Sequence, residues 1–241
     1  MRKKAGETDL SVSGPKVLSE IEILKDLSPE ELFEVESHCR YKTFSADEQI
    51  FDRHGVAKDV FFVVRGKVRV VNYSLSGREV TLNDVAQGGI FGELAAIDGQ
   101  PRSASVMALT DCLIVAMRPQ DFVNALKKYP AMAMSVMNSM TNIIRVSTER
   151  IMDLSTLGAH NRVHADLLRL ALSNKTGENT SEIRPIPVHG DIASRVSTTR
   201  ETVSRVMNEL ARMKILERKK DVLLIHDLHL LQDMVEEVRG E

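Results

Sequence analysis

A carboxylate and a guanidinium, those of Glu93 and Arg102, mark the two ends of one short segment of the sequence. The residues between them are first apolar and then interrupted by Gly and Pro, which is typical of a compact loop. A carboxylate accepts hydrogen bonds from ribose hydroxyls, and a guanidinium holds a phosphate through two parallel charge-assisted hydrogen bonds. Gly92 would let the backbone approach such a ligand closely. The pair therefore suits a sugar phosphate, although these residue types alone equally allow a hairpin with a surface Glu/Arg pair.

Short apolar or alternating runs, separated by turn signals, surround this segment and predict β-strands. The predicted strands span residues 59–64, 67–73, 79–82, 104–108 and 112–117. Many short strands at such intervals favour a sandwich, a barrel or a jelly roll, with the Glu93–Arg102 segment between two strands. Upstream, short helices are expected over residues 17–39, and Ser28 followed by Pro29 predicts a helix start.

From Arg118 onward the apolar period becomes helical, and spacings of three and four residues predict a coiled-coil seam and hence a homodimer. The predicted seam positions are Met137, Met140, Ile144, Ser147, Ile151 and Leu154. Ser147 interrupts the apolar pattern, and Thr148 follows it. Such a hydroxyl either specifies the register, bonds back to its own helix, or contacts a ligand.

A second chemical pattern lies between Gly190 and Leu210. It predicts a short helix over 191–196, a turn at Ser197-Thr198 and a longer helix from Thr199 to about Lys214, beginning near Thr198 with Glu201 as its capping partner. A helix, a tight turn and a polar second helix form the helix-turn-helix pattern. The predicted buried stripe is Val203, Val206, Met207 and Leu210, and the predicted outer face is Arg200, Glu201, Ser204, Arg205 and Asn208. In isolation Glu201 and Arg205 could simply pair along the helix, and Glu201 could only cap it.

The charge is unevenly distributed along the chain, with an excess of basic residues in one C-terminal segment. The whole chain carries a net charge of -2, but residues 189–220 hold eight basic and four acidic residues, a local charge of +4 that favours a polyanion partner. A basic hairpin beside the helix-turn-helix is predicted over 217–226, followed by a short amphipathic helix.

Several classes of protein are disfavoured. Cys39 and Cys112 lie far apart, so neither a disulfide framework nor a metal or iron–sulfur site is expected. There is no nucleophile–base pattern and no Walker-type phosphate loop, so we expect no enzyme. No apolar run follows the basic N-terminus, so this segment is not expected to be a signal peptide. The longest uncharged stretch is too short and too polar to span a bilayer. We therefore expect a cytoplasmic protein without a membrane partner.

The strings Gly-Glu-Leu-Ala at 92–95 and Pro-Arg-Ser-Ala-Ser-Val at 101–106 resemble the phosphate-binding cassette of cyclic-nucleotide-binding domains, found in the cyclic AMP receptor protein family and in cyclic-nucleotide-regulated kinases. The resemblance implies cyclic AMP or cyclic GMP as an allosteric ligand. It assigns the ribose 2′-hydroxyl to Glu93 and the cyclic phosphate to Arg102 and Ser103, and Gly92 and Leu94 complete this part of the ligand site.

The dimerisation helix carries a further part of the resemblance. In the cyclic AMP receptor protein a Thr-Ser pair on this helix contacts the base, one residue from each subunit. This chain has Ser147 and Thr148 there, in the opposite order, so the purine preference stays open.

The string Arg-Glu-Thr-Val-Ser-Arg at 200–205 resembles the recognition helix of the cyclic AMP receptor protein and fumarate–nitrate regulator family. The resemblance implies that Arg200, Glu201 and Arg205 read base edges in the major groove, as suits guanine and cytosine. It also implies phosphate contacts from Thr199 and Thr202. Ser197 occupies a turn position that is often Gly in such motifs.

Together these features predict an α+β protein: an N-terminal jelly-roll-like β-roll, a long dimerisation helix and a C-terminal winged helix-turn-helix. The expected divisions are a disordered tail (1–16), a cyclic-nucleotide-binding domain (17–130), the dimerisation helix (131–157) and a DNA-binding domain (158–241). The expected function is a homodimeric, ligand-responsive transcription regulator that binds double-stranded operator DNA and contacts RNA polymerase. The alternatives are the same fold with another signal or none, and a regulatory subunit of an enzyme.

Overall fold

The computed structural model describes residues 15–75, 77 and 79–240, so the tail predicted over 1–16 lies mostly outside the described residues. The chain packs as two compact units that divide between Asn142 and Ile143. This division falls inside one long helix rather than at either end of it. The predicted boundaries at 130/131 and 157/158 stay predictions.

Two four-stranded antiparallel sheets build the first unit, with strand orders β1-β8-β3-β6 and β2-β7-β4-β5. The strands are β1 (Cys39–Phe44), β2 (Gln49–Phe51), β3 (Val60–Arg65), β4 (Lys67–Tyr73), β5 (Glu79–Ala86), β6 (Ile90–Phe91), β7 (Ser105–Ala108) and β8 (Cys112–Met117). All five predicted strands are present. β1, β2 and β6 were not predicted, because they are either very short or mostly polar.

The period of two along β3 divides the core of this unit into two layers. Phe61 and Val63 face the second sheet, where they pack with the apolar residues of β4 and β7. Val60, Phe62 and Val64 face the helices. The first sheet is therefore buried on both faces, which explains the continuous apolar runs of its central strands.

Helices cover the outer face of this sheet. They are α1 (Pro15–Leu18), a 3₁₀ turn (Glu22–Leu24), α2 (Pro29–Ser37), α3 (Glu93–Asp98), α4 (Pro119–Lys128) and the first part of α5 (Pro130–Thr156). The start predicted for α2 is confirmed: the Ser28 hydroxyl accepts from the Glu31 backbone N–H at 3.3 Å, and the Glu31 carboxylate accepts from the Ser28 N–H at 2.8 Å.

The predicted seam along α5 is mostly exposed in the single chain. Ile144 and Ile151 have exposed fractions of 65% and 62%, and Met137 and Leu154 are also exposed. Met140 instead packs partly against the helical core of the first unit. A stripe of large apolar side chains left in water is characteristic of an interaction surface.

The second unit contains the end of α5, four further helices and one antiparallel sheet with the strand order β10-β11-β9. Its elements are α6 (Ala159–Leu172), β9 (Ser181–Ile183), α7 (His189–Arg195), α8 (Arg200–Arg212), β10 (Leu216–Lys219), β11 (Val222–Ile225) and α9 (Leu228–Arg239). The predicted hairpin is β10–β11, and the three-residue β9 joins it as an unpredicted third strand. The predicted α+β fold with a winged helix-turn-helix is confirmed.

Candidate functional site

The Glu93–Arg102 segment begins as a short helix rather than a hairpin loop. Gly92, with φ +80°, precedes α3, and Gly99, with φ +71°, follows it. Left-handed backbone at both ends is accessible to glycine at low cost, so the two glycines let one helical turn and a half fit between β6 and β7. The helix holds the Glu93 side chain inside the unit.

Arg102 is the central side chain of this site, and it is buried, with an exposed fraction of 4%. Its Nη1 donates to the Gly92 carbonyl oxygen at 2.8 Å, and its Nη2 donates to the Asp59 carbonyl oxygen at 2.7 Å. The guanidinium carbon lies 4.1 Å from the centroid of the Phe51 ring, a cation–π contact. Arg102 Nε is buried and has no hydrogen-bond partner among the described residues.

Gly92 is required by this geometry as well as by its backbone angle. A Cβ at this position would lie 2.6 Å from Arg102 Nη1 and 3.0 Å from the Asp59 carbonyl oxygen. The missing side chain therefore leaves the space that the guanidinium occupies.

Glu93 is also buried, and within the described part of the chain no ion pair within 4.0 Å joins it to Arg102. Burial raises the pKa of Glu93 above its ordinary value, opposed by a backbone hydrogen bond and by the positive charge of Arg102. Burial likewise lowers the pKa of Arg102, opposed by Asp59 and Glu93. The surface-pair alternative is wrong, because both groups are enclosed without being directly paired.

The other residues predicted for ligand binding are exposed. Leu94 lies on the outer side of α3, and the exposed Ser103 accepts from Asn72 Nδ2 at 3.2 Å through its carbonyl oxygen. Ser147 and Thr148 lie on the part of α5 that belongs to the second unit. The Thr148 hydroxyl donates to the Ile144 carbonyl oxygen at 2.9 Å, which is the back-bonded arrangement expected of a helical hydroxyl.

Sequence reasoning missed Asp59 and Phe51 as partners of Arg102. Asp59 acts through its backbone carbonyl, which leaves no trace in the residue type. Phe51 lies on an unpredicted strand of the other sheet. Neither residue carried a signal that could have identified it.

The helix-turn-helix consists of α7, a turn at residues 196–199 and α8. Ser197 has φ +52°, so the turn uses the left-handed region in which Gly is more common. The N-cap of α8 is Thr199, whose hydroxyl oxygen accepts from the Thr202 backbone N–H at 3.2 Å. The helix start predicted near Thr198 lies within one residue of the observed N-cap, Thr199, because two adjacent threonines offer the same capping chemistry.

The outer face of α8 presents Arg200, Glu201 and Arg205 to solvent. In the described chain Glu201 and Arg205 form no ion pair, and neither arginine makes a hydrogen bond. The pKa of Glu201 is lowered, first by its own backbone N–H and then by the Thr199 side chain, so this carboxylate is held charged at the helix start. The Arg200 guanidinium packs over Gly190, where a Cβ would lie 2.9 Å from Arg200 Nε.

Thr202 differs from the other DNA-contact candidates because the helix turns it inward. Its exposed fraction is 8%, and its hydroxyl lies 3.2 Å from the Thr199 hydroxyl. Thr202 thus lies inside the first turn that Thr199 caps, and its backbone N–H donates to the exposed Thr199 side chain. The buried stripe predicted from Val203, Val206, Met207 and Leu210 is confirmed.

The described residues contain no group of three or more His, Cys, Asp or Glu side chains able to hold a metal ion. None of the helices in the described ranges is both long and apolar enough to cross a membrane.

Two family models match this chain. Residues 41–129 match the cyclic nucleotide-binding domain, and residues 161–234 match the Crp-like helix-turn-helix domain. The first match contains the Glu93–Arg102 segment, and the second contains α7, α8 and the wing.

Characterised proteins are similar in sequence to this chain over most of its length. The Cyclic AMP receptor protein of Thermus thermophilus is 29% identical over 86% of this chain and 94% of its own. The cAMP-activated global transcriptional regulator CRP of Salmonella typhimurium is 24% identical over 79% of this chain and 91% of its own. The second name describes a regulator of transcription, and neither name describes an enzyme.

Solved structures agree on the fold. A CooA mutant from Carboxydothermus hydrogenoformans has a TM-score of 0.76 at 23% identity and covers 96% of this chain and 98% of that one. A CRP/FNR-family transcriptional regulator from Thermus thermophilus has a TM-score of 0.61 at 27% identity, with coverage of 82% and 98%. With both domain types present in the same order, the chain belongs to the CRP/FNR family of cyclic-nucleotide-binding, DNA-binding transcription regulators.

Proposed function

We propose that this protein is a homodimeric regulator that binds cyclic AMP through the Glu93–Arg102 site and then binds operator DNA. The observation that carries the proposal is the state of Arg102: buried, paired with no carboxylate in the described chain, and left with one unpartnered N–H. Burying a guanidinium without an anion is costly. A cyclic phosphate would supply both the missing charge and the missing acceptor.

The neighbouring groups fit the rest of a cyclic nucleotide. The Glu93 carboxylate would accept from the ribose 2′-hydroxyl, while the backbone at Gly92 and Leu94 and the exposed Ser103 would complete the phosphate contacts. Cyclic AMP is preferred over cyclic GMP because the relatives from Thermus and Salmonella carry cyclic AMP in their names. Ser147 and Thr148 stay our proposed base contacts, on the strength of the family resemblance.

A second copy of the chain is the proposed partner of the exposed seam on α5. Ile144, Ile151 and Leu154 leave a long apolar stripe in water, and a parallel copy of the helix would bury it. A two-fold dimer would also present two copies of α8 to a two-fold symmetric operator.

DNA recognition is proposed for the exposed face of α8. Arg200 and Arg205 have free guanidinium donors suited to guanine, and the charged Glu201 suits the cytosine amino group. Thr199 is the proposed phosphate contact. A ligand favours operator binding only if it binds the DNA-competent arrangement of the protein more tightly than the incompetent one. Cyclic AMP would therefore act by raising the population of the DNA-competent arrangement. The proposal also includes a contact with RNA polymerase. Because operator DNA and RNA polymerase are the proposed partners, the proposed location is the cytoplasm.

Calorimetric titration with cyclic AMP, and separately with cyclic GMP, tests the ligand assignment. We expect one cyclic AMP site per subunit, and Arg102→Ala should weaken it at least about tenfold, because hydrogen bonds to charged groups contribute roughly 1.5–3 kcal/mol each. Arg118→Ala is the control, because Arg118 is exposed and pairs with Asp121 outside the site. Selective binding of cyclic GMP would change the ligand, and binding of neither nucleotide would refute the proposal.

A further inference from the structure

Arg162, near the start of α6, donates to three backbone carbonyls, two of which are distant from it in sequence. Its Nη1 donates to the Leu157 oxygen at 2.9 Å, its Nε to the Val196 oxygen at 2.8 Å and its Nη2 to the Ser197 oxygen at 3.1 Å. Each of the three guanidinium nitrogens has a different acceptor. We call this arrangement the Arg162 clamp.

The clamp acts on the most unusual backbone of the helix-turn-helix. Val196 is the C-cap of α7, and Ser197 follows it with a left-handed backbone. Carbonyls at a helix C-terminus lack intrahelical donors, and a cation there also complements the helix dipole. Arg162 therefore satisfies the carbonyl at the C-cap of α7 and the next carbonyl along the turn, where Ser stands in place of the less strained Gly.

The third carbonyl belongs to the segment that enters this unit. Leu157 directly follows the last residue of α5, Thr156, and precedes Gly158, the N-cap of α6. The planar guanidinium has a rigid fork, so its three acceptors are held at fixed relative positions. A change in the path of the chain after α5 must either move the helix-turn-helix turn with it or break the clamp.

A separate set of ion pairs holds the helices of this unit together. Arg169 on α6 pairs with Asp153 on α5 at 2.9 Å, and Asp166 on α6 pairs with Arg195 on α7 at 2.7 Å. Arg239 on α9 also pairs with Asp153, at 2.6 Å. Because these pairs do not involve Arg162, the unit keeps strong connections between its helices when the clamp is removed.

We propose that Arg162 is a positioning residue for DNA recognition, which fixes the helix-turn-helix turn to the end of α5 and so transmits the response to ligand. The transmission part rests on the proposed function above. The positioning part concerns the turn alone and holds with or without a ligand.

Two affinity ratios measured on full-length protein test this role. The first is the affinity for an operator, selected from random sequences with wild-type protein, relative to random DNA. The second is the operator affinity with cyclic AMP relative to that without it. Arg162→Ala should lower both ratios, the second by on the order of tenfold, which is within the usual range of coupling between sites. Arg162→Lys keeps the charge but not the fork, and should lower them less.

Arg239→Ala is the matched control, because it removes an arginine bound to α5 that does not contact the turn. It should lower the unfolding temperature and leave both ratios unchanged. Equal effects of Arg162→Ala and Arg239→Ala, or a folded Arg162→Ala protein with wild-type ratios, would overturn the inference. A wild-type protein indifferent to cyclic AMP would contradict the proposed function instead, and the first ratio would still decide whether Arg162 positions the turn.

Discussion

Replacing Gly92 by Ala should damage both the stability of the first unit and its affinity for cyclic nucleotide. The new Cβ would lie 2.6 Å from Arg102 Nη1, closer than a Cβ approaches other atoms in folded proteins, and a tight 3.0 Å from the Asp59 carbonyl oxygen. The position also has φ +80°, a backbone region that Ala adopts only with strain. Arg102 must therefore move away, or the backbone must.

The expected magnitude follows from these two effects. Left-handed backbone costs a non-glycine residue about 1–2 kcal/mol. A displaced guanidinium also loses its hydrogen bonds to the Gly92 and Asp59 carbonyls, and hydrogen bonds to charged groups contribute roughly 1.5–3 kcal/mol each. The free energy of unfolding should fall by at least about 2 kcal/mol, and ligand affinity at least about tenfold, equivalent to about 1.4 kcal/mol.

Gly99→Ala separates backbone strain from displacement of Arg102. Gly99 ends the same helix with φ +71°, but a Cβ there would have no neighbour within 4 Å. It should therefore cost about 1–2 kcal/mol of stability and leave ligand affinity almost unchanged. Urea unfolding gives the stability and calorimetry with cyclic AMP gives the affinity. If the two variants lose stability and affinity equally, the reasoning about the space beside Arg102 is wrong.

Three further predictions concern buried and exposed charges. Because burial raises the pKa of Glu93, Glu93→Gln should raise the unfolding temperature while weakening cyclic AMP binding; unchanged calorimetric affinity would remove Glu93 from the site. Arg205→Ala should cost about 1–3 kcal/mol of operator binding in gel-shift titrations, and an equal loss on random DNA would make Arg205 a phosphate contact instead. Burial lowers the pKa of His164 below 6.5, despite Glu209 and with a contribution from His160. As the pH falls, the unfolded chain therefore takes up a proton on His164 before the folded chain does, and the free energy of unfolding should fall below pH 6.5. Urea unfolding at several pH values should show a less steep fall for His164→Gln than for the wild-type protein. An equal dependence on pH in the two proteins would refute a buried neutral imidazole at His164.

The helices and strands in which apolar residues recur at a regular spacing were predictable, because the burial of one face imposes that spacing. The buried stripe of α8 and the alternating β4 follow directly from one apolar face or layer. The two-residue β6 and three-residue β9 lie below the length at which a period can be seen. α3 was expected to be a loop, because its flanking glycines look like turn signals although they serve as the left-handed ends of a helix.

The candidate site was predictable in its side chains but not in its backbone partners. Glu93 and Arg102 were identifiable because few residue types bind sugar hydroxyls and phosphate. The carbonyls of Asp59, Val196 and Ser197 could not be identified, because every residue has a carbonyl and only the fold decides which ones meet an arginine. Thr202 shows the opposite case, since its residue type suits a phosphate but its position on α8 turns it inward.

Two buried arginines in the first unit show why Arg102 supports a ligand site. Arg69 on β4, with an exposed fraction of 6%, meets Asp84 on the paired strand β5 through hydrogen bonds of 2.7 and 3.0 Å. Arg102 is as deeply buried, yet within the described residues its guanidinium donates only to neutral carbonyls, packs against the Phe51 and Phe61 rings, and keeps one N–H without an acceptor. Breaking a buried ion pair is strongly destabilising, so a fold that stays stable with an unpaired guanidinium must offset that cost elsewhere. The Arg69–Asp84 pair shows that this β-roll can supply a carboxylate where a structural arginine needs one. The lack of a paired carboxylate at Arg102 therefore favours an anion that comes from outside the chain. Binding that anion would remove the cost of burying an unpaired guanidinium and make the ligand-bound state the more stable one.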